Sequence, residues 1–274
     1  MAYEMRKIAF TKMVATGNDF VVIPADGVSS SDYRALARKI CHRKFGVGAD
    51  GLLVLEKAKK AAMRMRIFNA DGSEAEMCGN GARAAAFYAC RNITLSKTHW
   101  LKIETKAGII EAHVEKEDVM IKLTAPKNIK LDLLLKVAGR VLRLNFINTG
   151  VPHVVIFTQG LEKMKIIDLA RFIRYHRVFA PFGTNVNFVE VLDKNSLKIR
   201  TYERGVEDET LACGTGSVAS ALVFSLKGAI GNKISLSTQS GENLSVYFKK
   251  TKNKFEDIWL EGKVKIVHEG DYYV

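Results

Sequence analysis

Cysteine is scarce in this chain and unpaired in pattern: Cys41, Cys78, Cys90 and Cys213 stand among 274 residues in no CxxC or Cys/His spacing. That argues against a structural zinc site and a disulfide framework, and leaves free thiols as the default. No uninterrupted apolar run approaches the roughly 20 residues that span a bilayer. The opening Met-Ala-Tyr-Glu-Met-Arg-Lys lacks the apolar core of a secretory signal, so the expectation is a cytoplasmic protein with no membrane partner. A nucleic-acid module is missing too. The net charge of +13 comes from Lys and Arg scattered through both halves. The short clusters at 57–60 and 249–254 are not interleaved with stacking aromatics, so no nucleic-acid partner is expected. The 47% hydrophobic content is that of a chain with a real core.

What the chain does have is a cysteine set at the mouth of an apolar helix. Residues 69–83 read Asn-Ala-Asp-Gly-Ser-Glu-Ala-Glu-Met-Cys-Gly-Asn-Gly-Ala-Arg. Residues 63–68 alternate as a strand does, and the Ala-rich run 82–90 suits a short helix, so Cys78 falls at a strand-to-helix turn. Free backbone N–H groups and the positive end of the helix dipole stabilise a thiolate there, and such cysteines have pKa values lowered from about 8.5 into the range ~3.5 to 7.5. Residues 208–217, Asp-Glu-Thr-Leu-Ala-Cys-Gly-Thr-Gly-Ser, repeat the design ahead of the apolar run 218–226, which Gly228 is placed to cap. Cys78 and Cys213 thus share one setting.

The repetition extends along the chain. Thr149-Gly150-Val151-Pro152-His153-Val154-Val155-Ile156 stands 133 residues after Thr16-Gly17-Asn18-Asp19-Phe20-Val21-Val22-Ile23. Leu-Ala-Arg at 36–38 and 169–171 keeps that offset, as does the Gly108 and Gly241 pair, while the cysteines lie 135 apart. Landmarks that hold order and spacing indicate two homologous halves. Each half reads as strand, Thr-Gly turn, strand, then a helix (31–42 and 168–176), then strands, the cysteine turn with its helix, and hairpin-linked strands. The expected class is α+β, with two homologous halves, each a curved, mostly antiparallel sheet wrapped around a central helix and related by pseudo-twofold symmetry. The halves are assigned as 1–130 with Cys78 and 131–274 with Cys213, joined near 126–134, the extreme C-terminal tail being able to pair with the first half.

One motif misleads. Gly46-Val47-Gly48-Ala49-Asp50-Gly51 fits GxGxxG, but a dinucleotide fingerprint needs a strand before it and a helix after it. Here strand-like Leu52-Leu53-Val54-Leu55 follows, so the glycines read as a tight turn.

Two thiols from duplicated halves, facing each other across a cleft, suggest a reaction. If a substrate's α-carbon lies between Cys78 and Cys213, one thiolate removes the proton from one face and the other thiol delivers a proton to the opposite face, inverting the centre. Their titrations are then coupled. No pyridoxal-lysine motif is evident to delocalise the carbanion, so help must be electrostatic: the N–H groups of Gly79-Asn80-Gly81 and Gly214-Thr215-Gly216 can hold a carboxylate and the charge that flows onto it.

These residues resemble the diaminopimelate epimerase family. The resemblance is carried by 69–83, Thr-Gly-Asn-Asp-Phe at 16–20, Gly-Val-Pro-His at 150–153, Gly-Thr-Asn-Val at 183–186, and Tyr-Glu-Arg-Gly at 202–205 ahead of 209–216, and it covers nearly the whole length. It implies two barrel-like domains, each with a central helix, and interconversion of LL- and meso-2,6-diaminoheptanedioate, a small-molecule amino-acid substrate, with no cofactor and no metal, by a cytoplasmic homodimer in lysine and peptidoglycan-precursor synthesis. By the same likeness Cys78 and Cys213 are the catalytic pair, with Cys213 the base and Cys78 the donor in the LL-to-meso direction. His153 and Glu203 support them. Asn18, Asn69, Asn185, Glu203 and Arg204 bind substrate, and Gly79, Asn80, Gly214 and Thr215 form the carboxylate cradles. Two positions depart from some relatives: Gly51 where they carry Gln and Val151 where they carry Asn, side chains that touch the far end of the substrate.

Plainer readings stand beside these. Cys41 and Cys90 are expected to pack as small apolar residues, Met63, Met65 and Met77 to fill core, His153 alone could be structural, and Glu203 with Arg204 could be a surface ion pair. Other functions remain open: a different cofactor-independent racemase, a cysteine hydrolase, which leaves the second cysteine motif unexplained, or a basic RNA-binding module.

Overall fold

The computed structural model describes residues 6–92, 99–252 and 254–274, so most of the opening segment read for a secretory signal lies outside it. The chain forms two compact units, one running to Ile121 and taking in Gly262–Val274, the other Lys122–Glu261. Among the described residues no helix is long and apolar enough to cross a membrane.

The first unit begins with β1 (Lys7–Ala15) and β2 (Asn18–Pro24), an antiparallel hairpin. Then follow α1 (Tyr33–Ile40), β3 (Gly51–Glu56), β4 (Met63–Asn69), the short β5 (Glu74–Ala75), α2 (Gly79–Asn92), β6 (Trp100–Thr105), β7 (Gly108–Glu115) and β8 (Asp118–Leu123). β2 pairs parallel with β3, β3 antiparallel with β4, β4 parallel with β6, and β6 to β8 run as antiparallel neighbours. The chain's last strand pairs with β8 on one side and antiparallel with β1 on the other, which closes an eight-strand barrel. α2 packs on β1, β2, β3, β4, β6 and β7, as a helix inside a barrel must. Its composition explains how it fits: Ala82, Ala84, Ala85, Ala86 and Ala89 are fully buried and bring the sheet close from every side.

β3 shows why the run Leu-Leu-Val-Leu does not alternate in polarity. Leu52 and Val54 join Leu36, Ala37 and Ile40 of α1 in one cluster, whereas Leu53 turns inward against Gly81 of α2. A strand covered on both faces reads as a continuous apolar segment.

The second unit repeats the order. It comprises β9 (Lys127–Val137), β10 (Arg140–Asn148), β11 (Pro152–Phe157), α3 (Ile167–Arg174), β12 (Asn185–Val191), β13 (Ser196–Glu203), β14 (Asp208–Thr210), α4 (Gly214–Leu226), β15 (Lys233–Ser237), β16 (Asn243–Thr251) and the start of β17 (Lys254–Tyr273), whose later residues close the first barrel. β10–β11 is antiparallel, β11–β12 parallel, β12–β13 and β13–β14 antiparallel, β13–β15 parallel and β15–β16 antiparallel. That is the pairing sequence of β1 to β7, strand for strand, which bears out the duplication. α4 packs on β10, β11, β12, β13, β15 and β16.

Three boundaries differ from the sequence reading. The segment 126–134, read as a join, is mostly strand: β9 pairs with β10, but Asn128 and Asp132 have φ of 54° and the register slips twice, which breaks the alternation that marks a strand. Both central helices start earlier than their apolar runs, at Gly79 and Gly214, so the glycines lie inside the first turn. Glycine is a poor helix former, and tertiary packing overrides that preference here.

Candidate active site

In the first unit the site is built outward from α2. The first intrahelical bond runs from Ala82 N–H to the Cys78 carbonyl (2.8 Å), so the N–H groups of Gly79, Asn80 and Gly81 precede the helix ladder. Gly81 N–H lies 3.5 Å from the half-buried Cys78 Sγ. A thiolate is the species such a donor favours.

Opposite, Thr16 and Gly17 form a two-residue hairpin turn with φ of 48° and 81°, the left-handed pair that matches the twist of the flanking strands. A β-branched residue resists that conformation. Its hydroxyl is held by Arg83, whose Nη2 donates to Thr16 Oγ1 (2.9 Å) and to Asn80 Oδ1 (2.6 Å). Asn80 Nδ2 in turn donates to Asn18 Oδ1. The fully buried guanidinium thereby ties the turn that presents Asn18 to the helix start that presents Cys78.

Asn18 is braced from behind as well, by its Nδ2 bond to Asp50 (3.1 Å). Asp50 pairs with Arg43 (2.7 Å), and Arg43 reaches both oxygens of Asp19 (2.6 and 2.8 Å), which the buried Lys12 also contacts at 2.7 Å. Lys12 further donates to the Gly48 carbonyl, so the GxGxxG loop is a folded connection between α1 and β3. Burial pushes the Asp19 carboxyl up, but hydrogen bonds from Arg43, Lys12 and the Asp50 N–H together outweigh it and hold the group below the usual carboxylate range. A depressed folded pKa stabilises the fold above the unfolded value of about 3.9, and that contribution fades as pH falls toward the folded value. Asp19→Asn should therefore cost stability at neutral pH and lessen the drop in urea midpoint between pH 5 and pH 3; an unchanged drop would show that Asp19 is not the group responsible.

In the second unit Cys213 is the N-cap residue of α4, in extended conformation (φ −125°, ψ 110°) and 7% exposed. Its carbonyl accepts from Ser217 N–H (2.9 Å) and Ser217 Oγ (3.0 Å), which leaves the N–H groups of Gly214, Thr215 and Gly216 ahead of the ladder, as in α2. Cys213 Sγ lies 3.6 Å from Thr215 Oγ1, and Thr215 Oγ1 lies 3.0 Å from Nε2 of the fully buried His153. Burial, seconded by the Arg204 charge, pushes His153 down to about 3, so the ring is neutral at any working pH. Glu203 goes the other way: burial raises its carboxyl, opposed by hydrogen bonds with Thr210 (3.1 Å) and with Cys213.

Several expected residues also bond within the fold. Asn185 is buried and donates one amide hydrogen to the Pro152 carbonyl (3.0 Å) while accepting from Arg204 N–H (2.8 Å), so it positions the Arg204 turn, and a primary amide has a second hydrogen to give. Asn69 is exposed at the end of β4 and donates to Ser73 Oγ (2.9 Å). Arg204 Nη1 reaches the Phe182 carbonyl (3.3 Å) and its side chain lines a cavity of about 500 Å³ with Lys130, Asn148, Phe146 and Phe179. Among the described residues Glu203 and Arg204 form no mutual ion pair: the Glu203 carboxylate meets Thr210 and Cys213, and the Arg204 guanidinium meets the Phe182 carbonyl. Gly51 pairs with Asn69 in the β3–β4 ladder, and a Cβ there would come within 2.9 Å of the Phe68 carbonyl, so this backbone is made for glycine.

Cys41 is buried, as expected of a small apolar residue, and burial pushes its thiol up to about 12. Cys90 is only partly buried, because it sits on the last turn of α2 where the helix leaves the barrel interior. Arg83, Thr16 and Asn187 went unassigned in the sequence. Asn187 carried a signal: a polar residue between Val186 and Phe188 on a strand whose first five residues are buried.

Comparison with known proteins places these features in a family. The family model described as Diaminopimelate epimerase matches residues 10–128 and 145–267. Proteins named diaminopimelate epimerase from Methanocella arvoryzae and Aquifex aeolicus are each 42% identical to this chain; the first match covers 97% of both chains, the second 95% of this chain and 96% of the relative. The protein of that name from Archaeoglobus fulgidus is 44% identical over 86% of this chain and 88% of its own. Among solved structures, a phenazine biosynthesis protein of the PhzF family from Bacillus anthracis aligns with a TM-score of 0.75 at 20% identity, covering 98% of this chain and 100% of that one. A hydroxyproline epimerase from Agrobacterium vitis aligns at 0.72 and 13%, covering 100% and 94%. At such identities the two structures speak for the fold alone.

Proposed function

Since the chain belongs to the diaminopimelate epimerase family, and is an isomerase by that membership, we propose that it converts LL-2,6-diaminoheptanedioate to the meso isomer by two-base proton transfer through Cys78 and Cys213, without a cofactor. The observation that carries this reading is the recurrence of one device in both units: a cysteine immediately ahead of a glycine-rich helix start whose first N–H groups precede the helix ladder.

The α-proton of an amino acid is a weak acid, and its removal places charge on the α-carboxylate. Backbone N–H groups at a helix N-terminus meet that charge without reorganising, and in acyl-transfer enzymes the loss of one such donor costs roughly 3 to 4 kcal/mol of barrier. Gly79, Asn80, Gly214 and Thr215 supply these groups. In the LL-to-meso direction Cys213 acts as the base, with Glu203 and the neutral His153 behind it, and Cys78 returns the proton. Arg204 meets the distal carboxylate, Glu203 an ammonium group, and Asn18, Asn69 and Asn185 complete the substrate contacts. With no side chain at position 51 and valine at 151, recognition of the far end of the substrate falls to Arg204 and these asparagines.

Incubation with LL-diaminopimelate in deuterated water tests the reading. The meso isomer should appear with deuterium at one α-carbon. Deuterium exchange into a monoamino acid but not into diaminopimelate would assign the chain a different racemisation, and no exchange into any amino acid would remove the proposal.

A further inference from the structure

We infer that Asn187 is a positioning residue for the Cys213 sulfur: acting through His153 and Thr215, it sets the direction of a hydrogen-bond chain that ends with a hydroxyl hydrogen donated to Sγ. The inference rests on the reading of Cys213 as a proton-transfer group, though its geometry does not depend on the substrate.

The direction follows from a single fixed point. Asn187 Nδ2 lies 2.8 Å from the Val154 carbonyl oxygen, which can only accept, so the Asn187 atom beside it must be the NH2 group. Thr201 Oγ1 donates to Asn187 Oδ1 at 3.0 Å and holds the same orientation from the other end. The second hydrogen of that NH2 faces His153 Nδ1 at 3.1 Å. Nδ1 is then the bare nitrogen, and because the buried ring is neutral, the proton sits on Nε2. Nε2–H donates to Thr215 Oγ1 at 3.0 Å, which leaves the Thr215 hydroxyl hydrogen for Cys213 Sγ at 3.6 Å. Reversing any link from Asn187 to Thr215 would place two donors or two lone pairs face to face, and at the last link a thiolate sulfur can only accept.

The fold does not require this chain. By ladder position His153 pairs with Asn185 in the second unit as Phe20 pairs with Gly51 in the first, so Asn187 corresponds to Leu53. Leu53 packs against Gly81 and Asn187 against Gly216, and a Cβ at Gly216 would come within 2.3 Å of Asn187 Oδ1. The same barrel is thus built once with Phe and Leu at these positions and once with His and Asn. The polar pair is present only in the unit that carries Cys213. Among the described residues, charged and titratable groups that bear on the sulfur or its relay include Glu203, which hydrogen-bonds to it, His153, and Arg204, whose charge is felt at His153.

Two readouts that a merely structural role would not move decide the matter. Long-range proton–nitrogen correlation spectra of the full-length protein should show His153 protonated at Nε2, and in Asn187→Asp, whose carboxylate accepts where the amide donated, the proton should move to Nδ1. Alkylation of Cys213 by iodoacetamide, followed by peptide mass spectrometry, should have its midpoint about one pH unit higher in Thr215→Val, since hydrogen bonds to charged groups are worth roughly 1.5 to 3 kcal/mol and one pH unit is 1.36 kcal/mol. Thr215→Ser should restore it. An Nδ1 proton in the unsubstituted protein, or a midpoint that does not move in Thr215→Val, overturns the inference. If Asn187→Asp does not fold, the Thr215 pair decides alone. A protein that shows the Nε2 proton and the midpoint shift yet does not epimerise diaminopimelate would refute the proposed function and leave the relay standing.

Discussion

Replacing either Cys78 or Cys213 with alanine is expected to lower the rate of LL-to-meso conversion by at least about a thousandfold, the middle of the range that positioned acid–base groups contribute, equivalent to about 4 kcal/mol of barrier. The pair acts as a unit, so the double variant should lose little more than either single one. Exchange of the α-proton with deuterated water separates the two roles. With Cys213 the base toward the LL isomer, Cys78→Ala retains a thiolate on the face from which the LL proton leaves. It should exchange that proton slowly without inverting the centre, and leave the meso isomer untouched. Cys213→Ala should do the reverse. If the isomers are interchanged, the two cysteines keep their functions and trade directions. Full epimerisation by either variant, or exchange of the same isomer by both, would end the two-base account.

These consequences were within reach of the sequence because the features behind them are local. A glycine-rich helix start after a cysteine is written in ten consecutive residues, and its recurrence 135 residues later marks the duplication without any long-range information. The helices, the Thr-Gly hairpin turn and most strands were legible for the same reason. What escaped depends on groups brought together from afar. The Cys213 surroundings draw on His153 from β11, Asn187 from β12, Glu203 from β13 and Thr215 from α4, and neither the ring tautomer nor the direction of an amide can be read from residue type. Asn185 shows the same limit: its motif position suggests a substrate ligand, but its bonds to the Pro152 carbonyl and the Arg204 N–H, which tie it to the turn beside it, are invisible in the sequence. β9 escaped because its bulges disrupt the period on which strand recognition relies.

Arg83 closes the stretch 69–83 and has no role assigned from the sequence; Arg83→Ala is expected to cost the largest stability of any single polar substitution in the first unit, about 3 to 5 kcal/mol. Set among the buried alanines of α2, it is itself fully buried within the barrel, and removing it leaves space the sheet cannot fill by collapsing onto Ala82, Ala84 and Ala86. It also leaves Thr16 Oγ1 and Asn80 Oδ1 without the donor that meets them at 2.9 and 2.6 Å, each loss worth roughly 1 to 3 kcal/mol when buried. The gain in helix propensity from alanine, at most a few tenths of a kcal/mol over arginine, does not offset this. Domains are commonly stable by only about 5 to 15 kcal/mol, so the urea midpoint should fall steeply at constant slope. Arg83→Lys should recover part of the loss, since an ammonium nitrogen, like Nη2, can donate to two acceptors, but its shorter stem does not carry it to the Nη2 position. Where the variants remain folded, KM for diaminopimelate should rise more than kcat falls, because Asn18 and the Thr16 turn lose their anchor while Cys78 stays in place. An unfolding free energy for Arg83→Ala within about 0.5 kcal/mol of the unsubstituted protein, the range of ordinary surface changes, would show that the buried guanidinium does not hold the turn to the helix.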